Sequence, residues 1–290
     1  MHNYLSEKFK LIYKTIQNLK LTKEEKRNNR LDMSGDILTN VEKEVQDWAE
    51  GKRSEIEQLR KLETYRREFL GNVSHELRTP LFNIQGYIST LLAGGLEDPN
   101  VNRSYLEKTE ANIARMTEMI EDLEVISRLE SGDMQLDESH FDLYSLCMEV
   151  YNHLEDFAKT KNISLIFGAD TNLGQFVYAD REKIRQVLVN LVTNSLKYGV
   201  ENGRTKISIY DMVENFLVEI SDNGIGIEEK HLPRLFERFY RVDRSRSRAE
   251  GGSGLGLAIV KHIIEAHEQT VNVRSTQGLG STFSFTVKKS

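Results

Sequence analysis

The sequence contains few of the residues that cross-link or interrupt a fold, with one cysteine, three prolines and one tryptophan among 290 residues. The lone Cys147 excludes an internal disulfide and a zinc site of spaced cysteines, and it fits best as a small buried hydrophobe in a helix. No stretch reaches the roughly 18 apolar residues of a membrane span, and the N-terminus lacks the apolar segment of a signal peptide. We therefore expect a soluble chain from a reducing compartment.

An excess of positive charge is also absent, since 39 Lys and Arg residues stand against 45 Asp and Glu residues and give a net charge of −6. General nucleic-acid binding depends on many basic contacts to phosphates, so we expect no nucleic-acid partner. With 39% hydrophobic residues and 19 glycines, the composition is that of a folded soluble protein. The length is sufficient for two modest domains.

Residues 1–55 contain two short amphipathic patterns separated by a charged stretch. Apolar residues recur at helical spacing in each pattern, namely Phe9, Ile12, Ile16 and Leu19, then Leu38, Val41, Val45 and Trp48. Neither pattern can bury itself alone. The segment therefore either pairs with copies of itself or forms a loosely ordered tail, and it is treated as an N-terminal linker.

A longer helical pattern from about Ile56 to Leu91 is followed by a turn at 93–100 and a second helical pattern. The first seam consists of Leu70, Leu77, Ile84 and Leu91 at seven-residue spacing, with Leu81 and Ile88 between them, and the second of Leu106, Ile113, Met116, Ile120 and Leu123. Residues 56–132 are predicted to form an antiparallel helical hairpin with a half-covered apolar stripe. Two copies should then associate as a homodimer with a four-helix bundle.

After Gly132 the pattern changes to strands that alternate with helices. The strand patterns are 163–167, 207–209, 216–220 and 283–287, and the helical runs are 143–159, 181–198 and 255–267. This alternation predicts an α/β sandwich over 137–290, in which helices cover one sheet. The whole chain is thus expected to be α+β and multidomain, with a flexible junction near 131–136.

His75 lies two positions from both Val73 and Leu77, so it should point away from the seam and face solvent. A solvent-facing imidazole is substantially neutral at pH 7, and its neutral nitrogen is nucleophilic. The adjacent Glu76 could accept the proton from the other ring nitrogen. Pro80 cannot donate to the carbonyl of Glu76, so we expect a bend one turn beyond the histidine.

The His-Glu pair also begins a zinc protease signature, but Thr79 stands where that motif needs its second histidine, which excludes a metalloprotease. A surface histidine without function is the remaining alternative. The string Gly71-Asn-Val-Ser-His-Glu-Leu-Arg-Thr-Pro-Leu81 resembles, at every position, the phosphoacceptor box of HisKA-type sensor histidine kinases. The resemblance implies that His75 is phosphorylated with Glu76 as its acid-base partner. It also implies that Thr79 orients the water that dephosphorylates a response regulator receiver domain.

No Walker-type phosphate loop occurs, so any nucleotide must be bound in another way. The helical run 181–198 carries a polar ladder, which by itself is typical of the wet side of an amphipathic helix: Gln186, Asn190, Asn194 and Lys197. Two glycine boxes follow at 222–227 and 252–257, and the second opens an apolar helix whose free N–H groups can hold phosphate oxygens. The segment 228–251 between them carries six arginines, as expected for a mobile lid over polyphosphate or for a disordered basic loop.

In their order and separation these boxes resemble the ATP-binding domain shared by histidine kinases, gyrase and heat-shock chaperone ATPases. The resemblance implies that ATP and Mg²⁺ are bound, with Asn194 as the metal ligand and Asn190 as its support, and amide oxygens are suitable ligands for Mg²⁺. Asp222 would bind the adenine amino group, and Arg241 the terminal phosphate. The other implied nucleotide contacts are Lys197, Tyr198, Gly224, Gly226, Gly252, Gly254, Leu255, Gly256, Leu257 and Thr282.

Asn190 stands where the gyrase-type proteins carry a catalytic glutamate, and an amide cannot act as a general base. The sequence therefore favours phosphoryl transfer to His75 over hydrolysis of ATP. The resulting prediction is a cytoplasmic protein-histidine kinase that passes its phosphoryl group to an aspartate of a response regulator and also dephosphorylates that regulator. It would reach a membrane only through segments absent from this chain. A non-catalytic adaptor and a predominant phosphatase are the alternatives.

Overall fold

The computed structural model describes residues 37–130, 135–168, 174–242 and 253–290, and the chain divides into two compact units, Met1–Gly71 and Asn72–Ser290. The apolar pattern from Phe9 to Leu19 lies outside the described residues. Within the described residues, no helix combines the length and hydrophobicity that a membrane span requires. The elements are α1 (Ile37–Thr90), a π-helical turn (Leu91–Gly95), α2 (Asn102–Glu130), β1 (Glu138–Asp142), α3 (Leu143–Thr160), β2 (Ser164–Phe167), β3 (Phe176–Asp180), α4 (Arg181–Lys197), β4 (Arg204–Asp211), β5 (Asn215–Asp222), a 3₁₀ helix (Glu229–Arg234), α5 (Gly256–Ala266), β6 (Val271–Thr276) and β7 (Gly280–Lys288).

The predicted helical hairpin is confirmed. The Tyr87 and Tyr105 rings lie 5.1 Å apart, and Glu76 pairs with Arg115, so advancing along α1 means moving backwards along α2. The π-helical turn contains Gly94 at φ 113°, a left-handed conformation that glycine adopts without a side-chain clash. This turn ends the first helix of the hairpin.

Helix α1 differs from the predicted run in one respect, because it includes residues from Ile37 onward rather than from Ile56. Residues 37–55 are rich in Glu and Lys and contain no proline, so helix propensity extends the helix beyond its apolar seam. Helix α1 also continues through Pro80, which is buried. The bend expected there stays a prediction.

The second half of unit Asn72–Ser290 contains a five-stranded sheet in the order β2-β4-β5-β7-β6. Strands β2 and β4 pair in parallel, and the other neighbours are antiparallel. Strands β1 and β3 form a separate antiparallel pair. The predicted strands all occur, whereas β1, β3 and β6 were not predicted. Strand β1 has a single buried apolar residue, Phe141, so its sequence has no alternating apolar pattern. Its pairing with β3 is what makes it a strand.

Helices α3, α4 and α5 pack together and against the sheet strands, which confirms the predicted α/β sandwich. The core includes the alternating strand residues Ile207, Val218 and Phe285, all fully buried. Cys147 on α3 is also fully buried, as expected of a small hydrophobe, and burial raises the pKa of its thiol. Asp180 ends β3 and caps α4, because its Oδ1 accepts from the Lys183 N–H at 3.1 Å. This cap sets where α4 begins and therefore where its polar ladder lies.

Candidate functional site

A cavity of about 220 Å³ lies where α4, α5 and the end of β5 meet. Most of the nucleotide contacts that the sequence predicted line this cavity: Asn190, Asn194, Lys197, Tyr198, Asp222, Gly226, Arg241, Gly254, Gly256 and Leu257. Residues that lie more than 60 positions apart are thus brought to one concave surface. The geometry supports a single compact ligand rather than an extended one.

Of the predicted contacts that the structure describes, three do not line the cavity. Gly252 lies outside the described residues. Leu255, a residue of the second glycine box, is fully buried, and Gly224 lies in the turn after β5. Thr282 points to the other face of the sheet, where its hydroxyl lies 2.9 Å from that of Ser221. Side chains alternate along a strand, so Thr282 and the core residue after it cannot face the same way.

Asp222, the last residue of β5, is one of the carboxylates that line the cavity. Its Oδ1 accepts from the Gly224 N–H at 2.8 Å and the Ser281 N–H at 3.2 Å. Burial raises the pKa of Asp222, although these backbone hydrogen bonds oppose the shift. A half-buried carboxylate at this position can accept a hydrogen bond from a ligand amino group, as an adenine would offer.

The glycines of both boxes allow close backbone approaches. Gly226 has φ 65°, and a Cβ at this position would lie 2.0 Å from the Thr276 carbonyl oxygen. A Cβ on Gly256 would lie 3.3 Å from Asn190 Oδ1, so the first turn of α5 lies directly against the amide of α4. Side chains at these positions would fill the space that the cavity provides.

The ladder on α4 provides the groups that could hold phosphates and a metal. Asn190 and Asn194 are one helical turn apart and line the cavity together with Lys197. Within the described residues, Asn190 Nδ2 is buried without a hydrogen-bond partner, so this donor lacks an acceptor such as a phosphate oxygen. The amide oxygens are hard ligands of the kind that Mg²⁺ binds together with phosphates and water. The residues present therefore fit a magnesium–nucleotide complex.

Two carboxylates from the helical hairpin also line the cavity, and sequence reasoning missed both. Glu118 and Asp122 lie one turn apart on α2. Ser253 of the second glycine box donates to Asp122 Oδ2 at 3.0 Å. Burial raises the pKa of Asp122 to about 6; the hydrogen bond from Ser253 opposes the shift, and the neighbouring carboxylates of Glu118 and Glu121 add to it.

The three residues predicted for catalysis lie on α1. His75 is exposed, and Thr79, one turn further on, donates its hydroxyl to the His75 carbonyl at 3.4 Å. Glu76 forms an ion pair with Arg241, whose Nη1 lies 3.4 Å from Glu76 Oε2, and a second with Arg115 at 3.8 Å. The Arg241 side chain is only 6% exposed. Arg241 therefore connects the cavity to the residue beside His75.

The described part of the predicted lid, residues 228–242, is held by several contacts of its own. Arg234 stacks over the Tyr240 ring at 4.3 Å, and Leu235 is buried. Arg238 Nη2 donates to His262 Nε2 on α5 at 3.1 Å. Because a guanidinium can only donate, that imidazole nitrogen carries no proton. The arginines 244, 246 and 248 lie outside the described residues.

Two families match this chain. Residues 65–132 match the His Kinase A (phospho-acceptor) domain. Residues 179–290 match the histidine kinase-, DNA gyrase B- and HSP90-like ATPase family. The first match contains His75 and the hairpin, and the second contains the lining residues of α4, β5 and α5.

Several histidine kinases are similar over most of this chain. Sensor histidine kinase WalK of Bacillus subtilis is 36% identical over 236 residues, which are 80% of this chain and 38% of that protein. The phosphate regulon sensor protein PhoR of Pseudomonas aeruginosa is 36% identical over 79% of this chain and 51% of its own length. The chain thus spans about half or less of these curated relatives. The solved histidine kinase ThkA, in complex with the response regulator protein TrrA, is 28% identical, with a TM-score of 0.62 over 77% of this chain and 61% of that one.

Gly226→Ala should destabilise the protein by about 3 kcal/mol, because the methyl group adds a backbone clash to the cost of a left-handed residue. Gly278→Ala is the matched control, since Gly278 has φ 80° but open space around its Cβ position. It should cost about 1 kcal/mol. Denaturant unfolding of both variants measures the difference. Equal destabilisation would show that the approach of Thr276 to Gly226 is unimportant.

The Arg238–His262 contact predicts a pH dependence of stability. Burial and then the Arg238 charge lower the pKa of His262 in the folded protein. As the pH falls below about 6.5, the unfolded chain takes up this proton more readily than the folded one, so stability is lost toward acid pH. Wild type should lose more stability than His262→Gln between about pH 7.5 and 5.5. Parallel stability curves for the two proteins would contradict this assignment.

Proposed function

Because this chain belongs to the sensor histidine kinases, we propose that it uses ATP to phosphorylate His75 and passes the phosphoryl group to an aspartate of a response regulator. The observation that carries the proposal is the contact of Arg241, a residue of the nucleotide-type cavity, with Glu76 beside His75. A cavity residue and the phosphoacceptor helix are thus in direct contact. The cavity and the phosphoacceptor residue that the reaction must bring together are thus neighbours within one compact unit.

In the proposed reaction, the unprotonated ring nitrogen of His75 attacks the terminal phosphorus of ATP. The bond from that phosphorus to the bridging oxygen breaks, and ADP leaves with the bonding electrons. Glu76 accepts the proton from the other ring nitrogen, which keeps the imidazole nucleophilic. The Glu76 side chain is only 19% exposed, and it pairs with both Arg115 and Arg241. It must exchange at least the Arg241 contact before it can serve the histidine.

The cavity residues would bind and orient the substrate. Asp222 would accept from the adenine amino group, while Asn190, Lys197 and Arg241 would donate to phosphate oxygens. Asn194 would hold Mg²⁺, which when bound neutralises negative charge on the phosphates. Asn190 supports transfer over hydrolysis, because its amide cannot activate a water molecule as a carboxylate could.

The partner in the proposed second step is a receiver domain. ThkA, a relative of known structure, is in complex with a response regulator protein. Thr79 is exposed on the same helix as His75, one turn away, so its hydroxyl could orient the water that hydrolyses the phospho-aspartate of the receiver domain. We assign this second activity to Thr79 on that placement.

We further propose that the hairpin dimerises through its exposed apolar side chains. Of the predicted seam residues in unit Asn72–Ser290, five are at least 43% exposed in a single chain: Leu81, Ile88, Leu106, Ile113 and Ile120. A soluble protein rarely leaves such a row uncovered, and a second hairpin would bury it in a four-helix bundle. The three-part division into 1–55, 56–132 and 137–290, and a cytoplasmic location, belong to the same proposal.

His75→Gln should abolish phosphorylation of the protein by γ-labelled ATP. Wild type should acquire a label that is stable in base and lost in acid, as expected of a phosphorus–nitrogen bond. His153→Gln is the matched control, because His153 is an exposed histidine on α3. It should label like wild type.

Failure of wild type to label while it still binds ATP would favour the adaptor alternative. Label that persists in His75→Gln would place the phosphoacceptor elsewhere. If wild type acquires the label and His75→Gln does not, the adaptor and a phosphoacceptor other than His75 are both excluded.

Ile113→Lys should weaken the dimer by at least about tenfold, since a charge would be buried in the apolar seam. Ile166→Lys makes the same change at a residue of similar exposure on β2, outside the hairpin, and should leave the dimer intact. Sedimentation equilibrium across a micromolar concentration range measures both. A wild-type chain that remains monomeric throughout this range would refute dimerisation.

A further inference from the structure

Carboxylates of the helical hairpin lie against the groups that the proposed function assigns to the phosphates of ATP. Arg241 pairs with Glu76 at 3.4 Å, and Ser253 of the second glycine box donates to Asp122 at 3.0 Å. Lys197 lines the same cavity as Asp122. The arginine and the glycine box therefore each contact a hairpin carboxylate, and the lysine shares their cavity.

Two further features of the site concern the charge and the volume of the cavity. Ser253 lies three residues before the first residue of α5, so Asp122 brings its negative charge toward a helix N-terminus, where anions are stabilised. The cavity measures about 220 Å³, which is below the roughly 300–1,000 Å³ typical of small-molecule pockets. With the hairpin in place, the cavity thus carries negative charge on the side that the hairpin forms, and its volume is small for a nucleoside triphosphate.

We propose that Asp122 and Glu76 act as internal substitutes for phosphate, which hold the hairpin against the ATP-binding groups until the polyphosphate of ATP displaces them. This inference rests on the proposed binding of ATP in this cavity. Like charges at one site repel, so the carboxylates and the phosphates cannot both occupy these groups at full strength. Docking of the hairpin and binding of ATP are therefore antagonistic.

The exchange would have a consequence for catalysis as well as for affinity. When Arg241 moves from Glu76 to a phosphate, Glu76 loses its nearer cationic partner and becomes available to the ring of His75. Binding of ATP and release of the proton acceptor are then one event. The cost is a lower apparent affinity, because only the undocked fraction of the protein binds ATP.

The test is equilibrium binding of a non-hydrolysable ATP analogue to the full chain. Asp122→Asn keeps a side chain that can accept from Ser253 but removes the charge, and it should tighten binding about fivefold. Glu121→Gln removes one charge from the neighbouring exposed position on α2 and should stay within about twofold of wild type. ADP should also bind more tightly to Asp122→Asn than to wild type. Because ADP lacks the terminal phosphate, Glu76→Gln should raise the affinity for ADP less than the affinity for the ATP analogue.

Equal affinities of wild type and Asp122→Asn would overturn the inference and leave the proposed function intact. Weaker binding by Asp122→Asn would also overturn it, because Asp122 would then assist the nucleotide or its metal. An absence of binding in every variant would overturn the proposed function together with the inference.

A cross-linking experiment checks the geometry independently of affinity. The double variant Asp122→Cys, Ser253→Cys should form a disulfide on mild oxidation, since the two native side chains are hydrogen-bonded and the natural Cys147 is buried. The ATP analogue should suppress that cross-link. A cross-linking yield that the analogue leaves unchanged would contradict displacement of the hairpin.

Discussion

The buried guanidinium of Arg241 can pair with either of two anions, but it cannot fully neutralise both of them at once. In the structure it pairs with Glu76 on the phosphoacceptor helix, and in the proposed reaction it contacts the terminal phosphate of ATP. A buried arginine without a partner would be costly, so it stays paired with one anion or the other. This constraint connects the state of the nucleotide cavity to the availability of the group that would accept the proton of His75.

The α/β sandwich makes this arrangement possible by fixing α4 and α5 against one sheet. Asp180 caps α4, and the buried face of that helix holds Asn190, Asn194 and Lys197 toward the cavity. Gly226, in the turn after β5, lets the Thr276 backbone approach within a distance that any side chain would prevent, and Gly256 of α5 lies close to the Asn190 side chain. The hairpin contributes carboxylates from α2 to the same cavity, so both parts of unit Asn72–Ser290 line it.

Much of this structure could be predicted because the local patterns in the sequence agree with the packing of the folded protein. Helix α4 was predicted within one residue, since an N-cap and a strong apolar face define it, and strictly alternating strands were found for the same reason. Strands β1 and β3 depend on each other and gave no such signal. The role of Asp122 could not be foreseen, because a carboxylate on the polar side of a helix has the pattern of a solvated residue until the packing partner is known. Thr282 lies outside the cavity because of strand alternation, which a motif by itself does not encode, and its contact with a nucleotide stays a prediction.

The most direct measurement is an experimental structure of the chain with Mg²⁺ and a non-hydrolysable ATP analogue. In that complex we expect the Arg241 guanidinium to contact the terminal phosphate and Glu76 to be no longer paired with Arg241. A nucleotide bound in the cavity while Arg241 still holds Glu76 would contradict the exchange on which this interpretation depends.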